Sequence, residues 1–189
     1  MWQAVVGAHV LGDRRVSGAG KSTLARRLAA WGHHAVSADD YDRLCGWTTL
    51  DGIRVTRPDQ LDVGWLAAHK WRWDLARLDE IIAEAARLDV PSLWVCGWAA
   101  NALQLAGRFD AVFLLEIDHQ TMRARIGDPR WGNDHGRVGD TLAAALASHT
   151  RFVAVWRRCG AVTIDGTRGV DTVAEELLLA ALRRSDRYA

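Results

Sequence analysis

Seven consecutive residues carry the strongest chemical signal in this chain: Ser17-Gly18-Ala19-Gly20-Lys21-Ser22-Thr23. Glycines at alternate positions let successive backbone N–H groups turn inward and form a nest for an anion. A helix starting at Lys21 adds its N-terminal dipole and its unpaired N–H donors to the same point. Lys21 supplies an ammonium and Ser22 a hydroxyl of the kind that binds a hard divalent cation. Only two of the 24 basic residues are lysines, Lys21 and Lys70, so a lysine at this position is informative.

The flanking pattern supplies the elements that must position such a loop. Apolar stretches over 5–11, 35–37, 92–96, 111–115 and 161–164 read as strands. The last three are continuous apolar runs, which suits parallel strands covered on both faces. Helical periodicity over 21–31, 64–88, 140–158 and 171–184 fits between and after them, with Asp171 expected as an N-cap. In the second of these, Leu75, Leu78, Ile82 and Ala85 form one stripe. The alternation predicts an α/β fold with a parallel sheet. At 189 residues the chain is expected to form one domain, with the polar stretch 126–139 as a lid within it.

Composition narrows the class. A net charge of +1 gives no basic field, so neither nucleic acid nor an anionic membrane is expected as partner. No apolar run reaches the length of a membrane span, and the N-terminus lacks a signal-peptide pattern. Three widely spaced cysteines, Cys45, Cys96 and Cys159, predict reduced thiols and a cytoplasmic protein. The histidines show no zinc-ligand spacing.

The Ser17–Thr23 segment resembles the P-loop, Gly-x-x-x-x-Gly-Lys-Ser/Thr, with Arg15 where the first glycine belongs. Among P-loop proteins, a GTPase would carry Asn-Lys-x-Asp, which is absent. A P-loop ATPase of the AAA or ABC kind would end an apolar strand in Asp-Glu, where Val112–Glu116 offers one Glu. The chain resembles small-molecule kinases of the nucleoside-monophosphate, shikimate and gluconate kinase type. That resemblance implies a three-layer P-loop NTPase fold, a five-stranded parallel sheet of order 2-3-1-4-5 flanked by helices, and a short lid. It implies ATP and Mg²⁺ as cofactors and a small-molecule acceptor.

By the same resemblance, Ser17, Gly18, Ala19, Gly20, Lys21, Ser22 and Thr23 bind the phosphates, and Ser22 with Asp40 holds Mg²⁺. Asp40 is also first choice to orient the acceptor, with Asp39 and Asp42 next. Arg125 matches the residue that stacks on adenine, and Arg130 the phosphate clamp, with Arg137 after it. Gly166 matches the loop that cradles the base, and Gly97 an acceptor-side approach. Trp65, His69, Trp71, Trp73 and Arg77 either line an acceptor pocket or pack a helix into the core, with core packing the better fit; Trp98 and Trp131 are better acceptor-side or lid candidates by position. Two alternatives stay open: a degenerate P-loop protein that binds nucleotide without phosphorylating a small molecule, and an NTPase serving a partner protein.

Overall fold

The computed structural model describes residues 5–11, 19–128 and 141–185. Its elements run β1 (Val5–Leu11), α1 (Lys21–Ala30), β2 (His34–Ser37), β3 (Cys45–Thr49), β4 (Arg54–Val55), α2 (Val63–Ala68) and β5 (His69–Trp73). They continue with α3 (Leu75–Arg87), β6 (Ser92–Cys96), α4 (Ala102–Leu105), β7 (Ala111–Glu116), α5 (His119–Gly127), α6 (Thr141–Arg158), β8 (Val162–Asp165) and α7 (Val170–Ser185).

Five strands share one sheet in the order β2-β6-β1-β7-β8, and each neighbouring pair is parallel. Side chains alternate across it. Leu93, Val95 and Leu114 face one way, onto Leu78, Ile81 and Ala85 of α3 and Val153 and Trp156 of α6. Trp94, Cys96, Phe113, Leu115 and Ile164 face the other way, onto Leu24, Ala25 and Leu28 of α1 and Val173, Ala174 and Leu177 of α7. A strand covered on both faces must be apolar at every position, which is why β6 and β7 read as unbroken apolar runs.

The long helix expected over 64–88 is three elements instead. Asp62 caps α2 by accepting from the Trp65 N–H at 2.6 Å, and Asp74 caps α3 by accepting from the Arg77 N–H at 3.0 Å. Between the caps, His69–Trp73 is extended, and its bulky alternating residues pair with β3. β4, β3 and β5 form a second, antiparallel sheet. The helical stripe shifts accordingly: Leu78, Ile81 and Ala85 are buried, Ile82 is half-buried and Leu75 is exposed. Asp171 also differs from expectation: it sits inside the first turn of α7 and pairs with Arg27 of α1 at 2.7 Å.

The small sheet is fastened to the large one just beyond β6. The Ala100 N–H donates to the Trp71 carbonyl at 2.7 Å. Buried Asn101 accepts from the Trp73 N–H at 3.1 Å and donates to the Trp73 carbonyl at 3.0 Å. Asn101→Ala removes both partners from buried backbone. The expected loss is about 2–4 kcal/mol, read as a fall in melting temperature of about 5–15 °C. Asn101→Asp, which keeps only the acceptor, is expected to fall between.

Candidate functional site

The residues with chemistry gather at the carboxyl ends of the parallel strands, where open α/β sheets hold their ligands. α1 begins there. Gly20 precedes it with φ 90°, a left-handed conformation that favours glycine. The helical ladder opens with the Leu24 N–H on the Gly20 carbonyl at 2.8 Å, so the Ser22 and Thr23 N–H groups lie ahead of it. Ten residues of helix dipole stand behind them, and no acidic side chain occupies the first turn.

Lys21, the first helical residue, is only 8% exposed. It lies close enough to the last residue of β6 for its positive charge to act on the Cys96 thiol. Burial dominates there and pushes the Cys96 pKa up to about 12, while Lys21 pulls the other way. Cys96 is therefore a neutral thiol flanking the ammonium. Ala19 is buried, Gly20 and Ser22 are half-buried, and Thr23 is exposed.

Ser22 is joined to Asp40 through a residue the sequence reading did not single out. Ser37 closes β2; its Oγ lies 3.1 Å from Ser22 Oγ and donates to Asp40 Oδ2 at 2.7 Å. A hydroxyl carries one proton, so the Ser22 hydroxyl is the donor toward Ser37. The chain Ser22–Ser37–Asp40 gathers three hard oxygen donors beside the lysine, a donor set that fits Mg²⁺ better than a soft metal. Among the described residues no group of three or more His, Cys, Asp or Glu side chains is placed to hold a metal. The only sequence hint of Ser37 was its place at the end of an apolar strand, two residues ahead of the acidic pair.

The other two acidic candidates face elsewhere. Asp39 Oδ1 accepts from the Trp71 Nε1–H at 2.9 Å. Asp42 is exposed and pairs with Arg43 at 3.2 Å. Arg77 reaches over the Tyr41 ring at 5.4 Å and donates to the Asp42 carbonyl at 3.2 Å, bracing this loop from α3.

Opposite the carboxylates, Arg125 and Gly166 come together. Arg125 of α5 donates to the Gly166 carbonyl at 2.9 Å, and its guanidinium lies 4.0 Å from where a Cβ on Gly20 would be. Burial lowers the Arg125 pKa, against the raising effect of Asp118. Gly166 donates its N–H to the Glu116 carbonyl at 2.8 Å. A Cβ there would meet Ile117 Cγ2 at 3.1 Å, the Glu116 carbonyl at 3.2 Å and the Ala19 carbonyl at 3.5 Å. The β8 loop thus packs directly on the residue before Gly20.

Gly97 has a different cause from the acceptor approach expected of it. A Cβ at Gly97 would fall 2.5 Å from the Ala38 Cβ and 3.0 Å from Trp73 Cζ2. The glycine lets the ends of β2 and β6 close on each other, and the space beside it is already filled by protein. Trp73 is core, 2% exposed, whereas Trp65, Trp71 and His69 are half-buried. Trp98 is half-buried against the core. Ser17, Gly18, Arg14, Arg15, Arg130, Trp131, Arg137 and the 129–139 part of the expected lid lie outside the described residues. Among the described residues, no helix is long and apolar enough to cross a membrane.

No family model and no curated protein matches the sequence. Thirty-seven chains of known structure are similar to it. One is a deoxyadenosine kinase from M. mycoides with bound dATP, at 13% identity and a TM-score of 0.48, covering 94% of this chain and 99% of that one.

Proposed function

We propose that this chain is a single-domain, ATP-dependent phosphotransferase of the P-loop kinase fold. It transfers the γ-phosphoryl group of Mg·ATP to a hydroxyl or phosphate of a small molecule. Its resemblance to nucleoside-monophosphate, shikimate and gluconate kinases belongs to the same reading. The carrying observation is the start of α1 at the carboxyl edge of the sheet, with buried Lys21 and the Ser22–Ser37–Asp40 chain beside it.

In this reading the segment from Ser17 to Thr23 holds the phosphates, and Lys21 neutralises charge that builds on them. Ser22 and Asp40 hold Mg²⁺, with Ser37 orienting both. An ion held by these residues would supply positive charge to offset that of the phosphates. Arg125 and Gly166 take the base, the guanidinium leaving the Gly166 carbonyl to stack on the ring. Arg130 clamps phosphate from the lid.

Calorimetric titration of the full chain with Mg·ATP, followed by label transfer from γ-labelled ATP to a panel of small acceptors, tests the reading. Binding and transfer are the expected results. Binding with hydrolysis alone would favour an NTPase; binding with neither hydrolysis nor transfer would favour a degenerate P-loop protein, the reading that Arg15 in the loop motif suits.

Arg125→Met separates base binding from chemistry. The KM for ATP is expected to rise about 5–10-fold, the worth of one cation–π stack, with kcat little changed. An unchanged KM would remove Arg125 from the base site.

A further inference from the structure

The two faces of the small sheet differ in kind. Strand alternation puts Cys45, Trp47, Trp71 and Trp73 on one face. That face is turned to the rest of the protein: Trp73 is core, and the Trp71 indole donates to Asp39. The other face carries Gly46 and Thr48 of β3, Lys70 and Arg72 of β5 and Arg54 of β4. Gly46 stands opposite Arg72, and Thr48 stands between Lys70 and Arg54. Lys70 is the second of the chain's two lysines, the one that lies outside the phosphate-loop motif.

Lys70, Arg72 and Arg54 thus crowd one face of three short strands, where like charges on neighbouring strands repel. Among the described residues, no carboxylate lies within ion-pair distance of any of them. Their hydrogen bonds go to main-chain carbonyls instead: Arg54 donates to Arg43, Lys70 to Ala67 and Arg72 to Leu50, each at 3.2 Å. A guanidinium has about five donors and an ammonium about three, so most of them are uncommitted. The Arg72 Nε is buried with no partner among the described residues.

Gly46 lets this cluster form. A Cβ there would stand 3.0 Å from Arg54 Nε and Cζ and 3.1 Å from its second terminal nitrogen. Near-equal distances mean that the guanidinium plane faces the glycine. Arg54 therefore reaches across β3, toward the strand that carries Arg72. A side chain at position 46 would push it off the sheet. Arg54 is exposed, and Lys70 and Arg72 are half-buried, so solutes reach all three.

We propose that this face is an anion site in which Arg54, Lys70 and Arg72 bind the phosphate dianion of a small soluble molecule. The guanidinium forks match phosphate oxygens in pairs, and the ammonium adds a point charge. Size decides against a macromolecule. Neighbouring strands lie about 4.8 Å apart and alternate residues about 7 Å, so the cluster spans about 10 by 7 Å. A stable protein interface takes about 800 Å² from each partner. The site lies on the far side of the small sheet from Asp39 and does not depend on the kinase reading. Mg·ATP is not expected here, because the metal already offsets its phosphate charge. Inorganic phosphate and phosphate monoesters share the chemistry that the face recognises.

Phosphorus NMR titrations of the full chain with inorganic phosphate and with a sugar monophosphate, at low salt, test the site. Lys21→Ala is titrated alongside, because the start of α1 also attracts phosphate. Saturable binding in the millimolar range is expected in both proteins, weakening as sodium chloride is added. Arg54→Gln and Lys70→Gln are each expected to raise the Kd about tenfold, the worth of one hydrogen bond to a charged group. Arg54→Glu puts a carboxylate beside Lys70 and Arg72. It is expected to abolish phosphate binding and to raise the melting temperature, because it supplies the partner that the cluster lacks. Tighter binding of the sugar phosphate supports a site for an ester, and equal or weaker binding supports one for inorganic phosphate. No binding by the parent chain, binding lost in Lys21→Ala, or a Kd unchanged in both glutamine variants overturns the proposal and leaves the kinase reading untouched. Failure to bind Mg·ATP overturns that reading and leaves this site standing.

Discussion

Lys21→Ala is expected to lower kcat/KM for ATP about 10³-fold. An ammonium about 4 Å from a phosphate charge, at the effective dielectric of about 20 that suits partly buried pairs, interacts by about 4 kcal/mol. That corresponds to about three powers of ten in rate or affinity. Lys21 is 8% exposed, so solvent screens it little, and water has poor access to replace it. The loss should not come from unfolding. Alanine is the better helix former, and a melt of each protein separates lost stability from lost chemistry. Lys21→Arg is not expected to rescue, because the wider planar guanidinium must fit beside Cys96 at the tightly packed end of β6. Steady-state kinetics and a thermal melt on the three proteins check all of this. Activity near the parental level in Lys21→Ala would remove the lysine from the reaction.

Asp40→Asn is the second large effect. The carboxylate is exposed, so stability should hardly change. Losing its charge removes the one anionic protein donor proposed for Mg²⁺. The Mg²⁺ concentration needed for half-maximal activity is expected to rise about tenfold or more, and kcat to fall about 10²-fold. Ser37→Ala leaves both ligands in place and removes only the hydroxyl between them. It is expected to shift the Mg²⁺ dependence in the same direction but less. A magnesium titration of activity reads both. Equal dependence in Asp40→Asn and the parent would place the ion elsewhere.

The parts of this site that were legible in the sequence are those set by local rules. Apolar runs marked the central strands β6 and β7 because burial on both faces favours apolar side chains along nearly the whole strand. Gly20, Lys21 and Ser22 stood out because a left-handed glycine, an ammonium and a hydroxyl at successive positions have a joint chemical use. Arg125 and Gly166 were singled out by resemblance, not by a local rule, and the structure brings them into contact 41 residues apart.

What stayed hidden depends on partners distant in sequence. β3 and β4 are short, and β4 has two residues, too few to show a period. β5 hid within a helical stripe because apolar residues at 75, 78, 82 and 85 suit a helix that the reading extended back to 64. Asp74 was the missed stop signal: an N-cap that starts α3 afresh. Gly97 was misread because its cause is the Ala38 side chain 59 positions earlier. Ser37 was missed because a lone serine at a strand end has no pattern; only the fold places it between Ser22 and Asp40.

The central claim is that the start of α1 binds the phosphates of Mg·ATP. Isothermal titration of the full chain with ATP, in the presence and absence of Mg²⁺ and with Lys21→Ala alongside, tests it most directly. The account predicts saturable binding with a Kd in the range of about 1 μM to 1 mM typical of enzyme substrates. It predicts weaker binding without Mg²⁺ and no measurable binding by Lys21→Ala. No binding by the parent chain at millimolar Mg·ATP, or equal binding by Lys21→Ala, would contradict it.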